Sequence, residues 1–233
     1  MQDNLCIIPA RGGSKRIPRK NIKDFLGKPI IAYSIEAAIE SGLFAEVMVS
    51  TDDLEIADIA KNLGAKVPFL RNPTNSDDFA TTADVILEVI ESYFKHNRRF
   101  EQVCCIYPTA PFTTSKMLKD GFNLLNEGSV DSVLPVSEYG HPIHRSLEVD
   151  SKSSIIKMSQ PKNINMRSQD LKKTYHDSGQ WYWINVKSFL DQKTIFMKKS
   201  LALVVNRNLI QDIDTDEDWK LAEFKYAYLQ NIK

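Results

Sequence analysis

Ile8-Pro9-Ala10-Arg11-Gly12-Gly13-Ser14-Lys15-Arg16-Ile17-Pro18-Arg19-Lys20-Asn21 follows directly on the apolar run Leu5 to Ile8. A strand-length apolar run that breaks into a glycine pair is how an α/β chain opens a ligand crevice at the carboxyl end of a parallel strand. Gly12 and Gly13 admit backbone conformations closed to residues with a Cβ, so consecutive N–H groups can turn inward as an anion-binding concavity. Arg11, Lys15, Arg16, Arg19 and Lys20 place five cations within residues 11–20. Like charge at that density repels itself unless a polyanion or open water stands beside it. The phosphates of a nucleotide satisfy the arrangement; a solvated basic turn is the bland alternative. Neither G-x-x-x-x-G-K-[ST] nor G-x-G-x-x-G is present, which points away from a P-loop NTPase and from a dinucleotide oxidoreductase.

Downstream, the chain alternates between two periodicities. Phe25-Leu26-Gly27-Lys28-Pro29 reads as a turn, and Ile30, Ile31, Ser34, Ile35, Ala38 and Ile39 recur at helical spacing before Gly42. Val47 to Val49 is the next strand. Ser50-Thr51-Asp52-Asp53 supplies capping side chains for a helix through Leu54, Ile56, Ile59, Ala60 and Leu63. Val67 to Leu70 reads as a short strand. Arg71-Asn72-Pro73-Thr74-Asn75-Ser76-Asp77-Asp78 is polar and turn-rich, and Thr81 or Thr82 opens a long helix carrying Val85, Ile86, Val89, Ile90 and Phe94. Val103 to Tyr107 is uniformly apolar, as a buried central parallel strand should be.

Met117 to Leu125 reads as a helix and Val130 to Val136 as a strand. This rhythm predicts an α/β fold, a mostly parallel, Rossmann-like sheet flanked by helices. From Ser137 to Gly179 the rhythm breaks. A loop of that length is anomalous in one domain unless it has work of its own, so 137–179 reads as an insertion built from a few strands or turns. Trp181 to Val186 and Leu201 to Val205 return to strands, and a helix from about Glu217 to Gln230 closes a single domain over residues 1–233.

Lysines plus arginines balance aspartates plus glutamates at 30 each, so no global field draws the chain to nucleic acid or a membrane surface. A nucleic-acid-binding protein using the basic loop is the non-enzyme alternative; the lack of aromatic residues among those cations argues against it. Cys6, Cys104 and Cys105 sit in apolar runs without a C-x-x-C, which reads as buried free thiols in a reducing compartment. No apolar stretch reaches the length of a membrane span, and Met1 to Asn4 leads straight into a strand without a signal-peptide pattern, so a soluble, cytoplasmic protein is expected.

Asp212-Ile213-Asp214 follows the last strand. Alternate residues of an extended segment point the same way, so both carboxylates can hold one hard cation together with phosphate oxygens. The competing reading is a cap for the final helix, because Thr215, Asp216, Glu217 and Asp218 crowd its N-terminus. His141, His144 and His176 lack a convincing third ligand and read as substrate or interface contacts.

The N-terminal stretch closely resembles the signature of the cytidylyltransferases that activate acidic sugars with CTP, the CMP-sialic acid synthetases and their pseudaminic and legionaminic acid relatives. The resemblance extends over essentially the whole chain. It implies transfer of CMP from CTP to the anomeric hydroxyl of an acidic nine-carbon sugar, with pyrophosphate leaving and Mg²⁺ as the cofactor. Arg11, Lys15 and Lys20 match the family's phosphate-binding, catalytic positions, while Arg16 and Arg19 are expected to be partly solvated. The resemblance places the nucleotide on Ala10, Arg11, Gly12, Gly13, Ser14 and Asn21, its base on Arg71, Ala80, Thr81 and Thr82, and the metal on Asp212 and Asp214. Helix capping remains the alternative for either threonine.

Sugar recognition is implied at Tyr107, Arg167, Gln180 and Tyr182. Where sialic acid synthetases read Gln-Pro-Thr-Ser-Pro, this chain has Tyr107-Pro108-Thr109-Ala110-Pro111, and where they read Asn-Gly-Ala-Ile-Tyr it has Asp177-Ser178-Gly179-Gln180-Trp181-Tyr182-Trp183. Both changes resemble the pseudaminic acid branch, with the legionaminic and N-acetylneuraminic acid activities as alternatives. Arg167 can grip a sugar carboxylate bidentately or lie idle on the surface. The 137–179 insertion is expected to form a homodimer that carries Arg167 toward the partner's sugar site. A glycosyltransferase of the nucleotide-diphospho-sugar fold would use Asp-x-Asp similarly, but its metal pair usually lies at mid-chain.

Overall fold

The computed structural model describes residues 3–77 and 79–231; Met1, Gln2 and Asp78, which entered the readings above, lie outside them. In chain order the strands are β1 (Asn4–Pro9), β2 (Asp24–Phe25), β3 (Lys28–Pro29), β4 (Glu46–Ser50), β5 (Gln102–Ile106), β6 (Ser132–Glu138), β7 (Leu147–Val149), β8 (Ile156–Met158), β9 (Tyr175–Asp177), β10 (Trp181–Asn185) and β11 (Ser200–Val204). The helices are α1 (Ile30–Ser41), α2 (Leu54–Asn62), α3 (Thr82–Lys95), α4 (Ser115–Asn126), α5 (Val186–Gln192) and α6 (Asp216–Asn231). The main sheet runs β4-β1-β5-β10-β6-β11, with β9 added on β6. β4, β1 and β5 pair in parallel, as do β6 and β11, whereas β10 is antiparallel to both neighbours and β9 is antiparallel to β6. The α/β, mostly parallel sheet expected from the sequence is the sheet observed.

Period-2 alternation along β1 sorts side chains onto two cores. Cys6 and Ile8 face α1, α2 and α4 with Ile31, Ile35, Ile56 and Leu118. Leu5 and Ile7 face the other layer with Ile86, Val89, Ile90 and Phe189. Cys6, Cys104 and Cys105 are buried and free, as their apolar context predicts. A third, smaller core joins Ile17, Phe25, Ile30, Tyr33, Phe112, Ile213 and Trp219. It pins the basic loop by Ile17, the Asp-x-Asp segment by Ile213 and the start of α6 by Trp219 into one unit. Among the described residues no helix is long and apolar enough to cross a membrane.

Local chemistry explains most boundaries. Phe25-Leu26-Gly27-Lys28 is a tight hairpin whose two central residues both take positive φ, 52° and 95°, the pattern of a type I′ turn. Asp53 caps α2 by accepting from Ile56 N, and Thr81 and Asp84 form a reciprocal capping box on α3. Gly121 allows α4 to lie flush on the sheet, because a Cβ there would stand 2.4 Å from Trp181 Cη2. Trp181 and Trp183 are accordingly core residues, fully buried.

Two expectations need correction. Val67 to Leu70 is not a strand: only a single bridge from Lys66 to Met48 forms there, and Pro68 has no N–H to extend a ladder. The apolar run 181–186 is not all strand either. Asn185 accepts from Ser188 N and switches the chain into α5, burying Val186 and Phe189. The insertion leaves the sheet after β6, forms the β7–β8 hairpin, and returns as β9 against β6.

Candidate active site

A cleft of about 440 Å³ opens outside the carboxyl ends of β1 and β5, lined among others by Pro9, Arg11, Ser14, Lys15, Arg16, Lys20, Asn21, Arg71, Thr81, Thr82, Tyr107 and Thr109. The chain places β4 on one side of β1 and β5 on the other, so the crevice falls at the switch point of the sheet. Its volume suits a nucleotide-sized ligand.

Arg11, Lys15, Arg16 and Lys20 form a basic wall. Arg11 Nη1 donates to Asp77 O at 2.6 Å, tying the loop after β1 to the segment before α3. Asn21 Nδ2 donates to Arg11 O at 2.9 Å and closes the loop on itself. Lys20 Nζ donates to Ile213 O at 2.7 Å and stands 3.5 Å from Asp214 Oδ1; Arg16 Nη2 is 2.8 Å from the same oxygen. Arg19 departs from the group. In a left-handed conformation with φ of 54°, it turns to Asp53 and Glu55 at the start of α2. That guanidinium, above all by hydrogen bonding, lowers the Asp53 carboxyl to about 2.

The glycine pair works differently from the sequence expectation. Neither Gly12 nor Gly13 takes a positive φ, and Gly12 N donates to Asp52 Oδ1 at 2.9 Å. Gly12 is required because of close approach: a Cβ would meet Asp53 Oδ2 at 2.6 Å. Ala10 is buried, its N–H donating to Ser50 O, and it supports the loop from behind. From the sequence, Asp52 and Asp53 offer only capping side chains. Their position after β4, in register beside β1, is the signal that places them against the glycine loop.

The opposite wall carries Ala80, Thr81, Thr82, Val85 and Tyr107. Arg71 lines the cleft yet is buried, with Nε donating to Ser50 Oγ at 3.0 Å and a second donor nitrogen on Ser50 O. Burial is the main influence drawing its guanidinium below the usual range. Thr81 is committed to the α3 capping box, whereas Thr82 Oγ1 is 2.8 Å from the Tyr107 hydroxyl.

The remaining sugar-recognition candidates lie elsewhere. Gln180 and Tyr182 are 1% and 2% exposed and neither lines the cleft; the Tyr182 ring packs behind Tyr107. The physical reason is that β10 is a central strand between β5 and β6. Gln180 Nε2 donates to Leu209 O at 2.7 Å, while its Oε1 is buried without a partner. Arg167 sits on the exposed insertion, its fork closed on Asp170 at 2.7 and 3.1 Å.

Asp212 and Asp214 flank the buried Ile213, so both carboxylates point away from the small core. Desolvation first, and the neighbouring Asp214 charge next, raise the Asp212 carboxyl above its ordinary value, with Lys20 pulling the other way. The helix is capped instead by Thr215 and Asp218 together: Thr215 Oγ1 accepts from Asp218 N, and Asp218 Oδ2 accepts from Thr215 N and Asp214 N. Among the described residues no group of three or more His, Cys, Asp or Glu side chains is placed to hold a metal.

A parallel sheet with a basic cleft at its switch point, faced by a wall of hydroxyls and edged by a carboxylate pair, defines a nucleotide-binding α/β protein. The chain belongs to the cytidylyltransferase family, whose profile matches residues 5–229. It is 44% identical over 223 residues to the pseudaminic acid cytidylyltransferase of Campylobacter jejuni serotype O:2, covering 96% of each chain. It is 34% identical to the CMP-N,N′-diacetyllegionaminic acid synthase of Legionella pneumophila, covering 94% of each. Among solved structures, CMP:2-keto-3-deoxy-manno-octonic acid synthetase complexed with CTP superposes with a TM-score of 0.68 at 17% identity, over 99% of this chain and all of the other, a likeness of fold.

Proposed function

We propose that this cytidylyltransferase transfers CMP from CTP to the anomeric hydroxyl of pseudaminic acid and releases pyrophosphate. The observation that carries the reading is the opposition of walls in the cleft, with Arg11, Lys15, Arg16 and Lys20 on one side and Thr82 and Tyr107 on the other. In the reaction the sugar oxygen bonds to the α-phosphorus, the bond to the bridging oxygen of the β-phosphate breaks, and the hydroxyl proton passes to water. Such transfers ask the protein mainly to position the reactants and offset developing negative charge. The cationic wall suits the triphosphate. Arg71, Ala80 and the α3 N-terminus suit the base, and Tyr107 stands where the acceptor enters. The identity to the Campylobacter enzyme supports pseudaminic acid over its stereoisomers.

Asp212 and Asp214 would hold Mg²⁺. The Asp212 carboxylate, disfavoured by burial first and by the Asp214 charge next, and its neighbour Asp214 are hard oxygen donors suited to a cation, and the remaining positions of its shell suit phosphate oxygens and water. When bound, the ion neutralises charge on the triphosphate; Lys20 and Arg16 hold Asp214 in place for it.

The working form is read as a cytoplasmic homodimer. Leu147, Val149, Ile155, Ile156 and Ile164 on the insertion are each more than half exposed, and a two-stranded ribbon cannot bury them alone. A second copy covers them, and Arg167 exchanges its surface pairing with Asp170, which stabilises little in water, for the sugar carboxylate at the partner's cleft.

The test is kcat/KM for pseudaminic, legionaminic and N-acetylneuraminic acids with CTP and Mg²⁺. Preference for pseudaminic acid by tenfold or more is expected; a preference for N-acetylneuraminic acid contradicts the reading.

A further inference from the structure

Tyr107 is the cleft residue whose surroundings are most elaborately built. Its hydroxyl is 2.8 Å from Thr82 Oγ1 on the cleft side. Behind it, the Tyr182 ring packs edge-on at 5.5 Å between centroids. The Tyr182 hydroxyl donates to Asp177 Oδ2. The other oxygen of the same carboxylate accepts from Gly179 N at 3.0 Å, which fixes the bend between β9 and β10, two strands that run the same way along β6. Gly179 takes a φ of 63° at that bend, a conformation that glycine adopts without strain. Gln180 O then accepts from Tyr107 N at 2.8 Å. Asp177 therefore reaches Tyr107 twice, through the Tyr182 side chain and through the backbone of the bend. The Tyr182 phenol is held un-ionised well above its ordinary range, by burial first and then by Tyr107 and Asp177, so it stays a donor through the working pH range.

Asp177 is also the last residue of β9, where the insertion rejoins the sheet beside Val136. A carboxylate that orients a buried phenol, which in turn supports the phenol lining the cleft, is the arrangement by which an outer hydrogen bond fixes a contacting group. We propose that Asp177 is a positioning residue that sets Tyr107 against the sugar acceptor through Tyr182, so that the end of the insertion governs acceptor binding while the triphosphate is held by the cationic wall opposite. This rests on the cytidylyltransferase reading above and adds to it the residue that tunes the acceptor side.

The acceptor side is separated from the nucleotide side by varying pseudaminic acid at saturating CTP and CTP at saturating acid. Asp177→Ala and Tyr182→Phe are each expected to raise the acid KM about tenfold, with the KM for CTP within twofold of the parent. Asp177→Asn keeps an acceptor oxygen and is expected to recover most of that loss. The double variant is expected to match the worse single one, because both cut the same chain. Equal rises in both KM values, or multiplied effects in the double variant, overturn the proposal. A second readout needs no sugar: with 3-fluorotyrosine at position 107, the ¹⁹F resonance is expected to move in Asp177→Ala and Tyr182→Phe and to stay near the parent in Asp177→Asn. An unmoved resonance in Asp177→Ala overturns the inference whatever acid the enzyme uses. A moved resonance without turnover of pseudaminic acid supports the positioning role and places the error in the acceptor.

Discussion

Lys20 Nζ donates to the carbonyl of Ile213 at 2.7 Å, joining residues 193 apart in sequence. The contact holds the basic loop to the segment that presents Asp212 and Asp214, and it is sealed from beneath by the shared burial of Ile17 and Ile213. In the proposed reaction Lys20 has two duties, offsetting phosphate charge and holding the carboxylate pair in place. Lys20→Ala is expected to lower kcat by about 10²–10³, the usual loss when one preorganised charge is removed from a transfer site. Arg11→Ala and Lys15→Ala are expected to fall in the same range. Steady-state pyrophosphate release checks all three; rates within twofold of the parent would remove the phosphate assignment.

Asp212→Asn and Asp214→Asn should each raise the Mg²⁺ concentration needed for half-maximal activity, since each removes charge from a hard-cation site. Asp214→Asn should be the more damaging, because it also releases Arg16 and Lys20. A Mg²⁺ titration of each variant decides it. Unaltered titrations at parental rates would leave the pair a purely structural turn.

Gly12→Ala tests the close approach beneath the loop. A methyl 2.6 Å from Asp53 Oδ2 must displace a carboxylate already committed to Arg19 and to the α2 cap. Overpacking of this kind costs about 1–3 kcal/mol. Urea unfolding should report it, and a change below a few tenths would show that the loop yields freely. Gly13→Ala, with open space around it, is the matched control.

Acid stability should depend on Arg19. Asp53 titrates near 2 in the folded chain, below its value of about 3.9 when unfolded. The stabilisation is therefore complete above pH 4 and lost as pH falls through 2. Surface screening reduces the contribution to about 1 kcal/mol. Arg19→Met removes it, so the stability gap between parent and variant should narrow between pH 4 and pH 2. A gap constant over that interval would show that the pair contributes no pH-dependent stability.

Sequence reading reached the elements whose causes are local: the β1 strand and its basic loop, the Thr81 cap, the Phe25–Lys28 turn and the helical period of α1. It went astray where a distant partner decides. Nothing near Gln180 or Tyr182 tells that β10 inserts antiparallel between β5 and β6, and only that placement turns both side chains inward. Trp181 to Val186 looks like one apolar strand until Asn185 is seen capping Ser188. The glycine pair signalled a special backbone, but the reason at Gly12 is the nearness of Asp53, 41 residues further on and brought there by the β1–β4 pairing.

The most direct test of cytidylyl transfer follows the label. With CTP carrying ³²P at the α position, pseudaminic acid and Mg²⁺, the radioactivity should appear in an acid-labile sugar phosphodiester, while label at the γ position should leave as pyrophosphate. Release that proceeds equally without the sugar, or α-label that ends as free CMP with no sugar conjugate, would contradict the assignment of this cleft to CMP transfer.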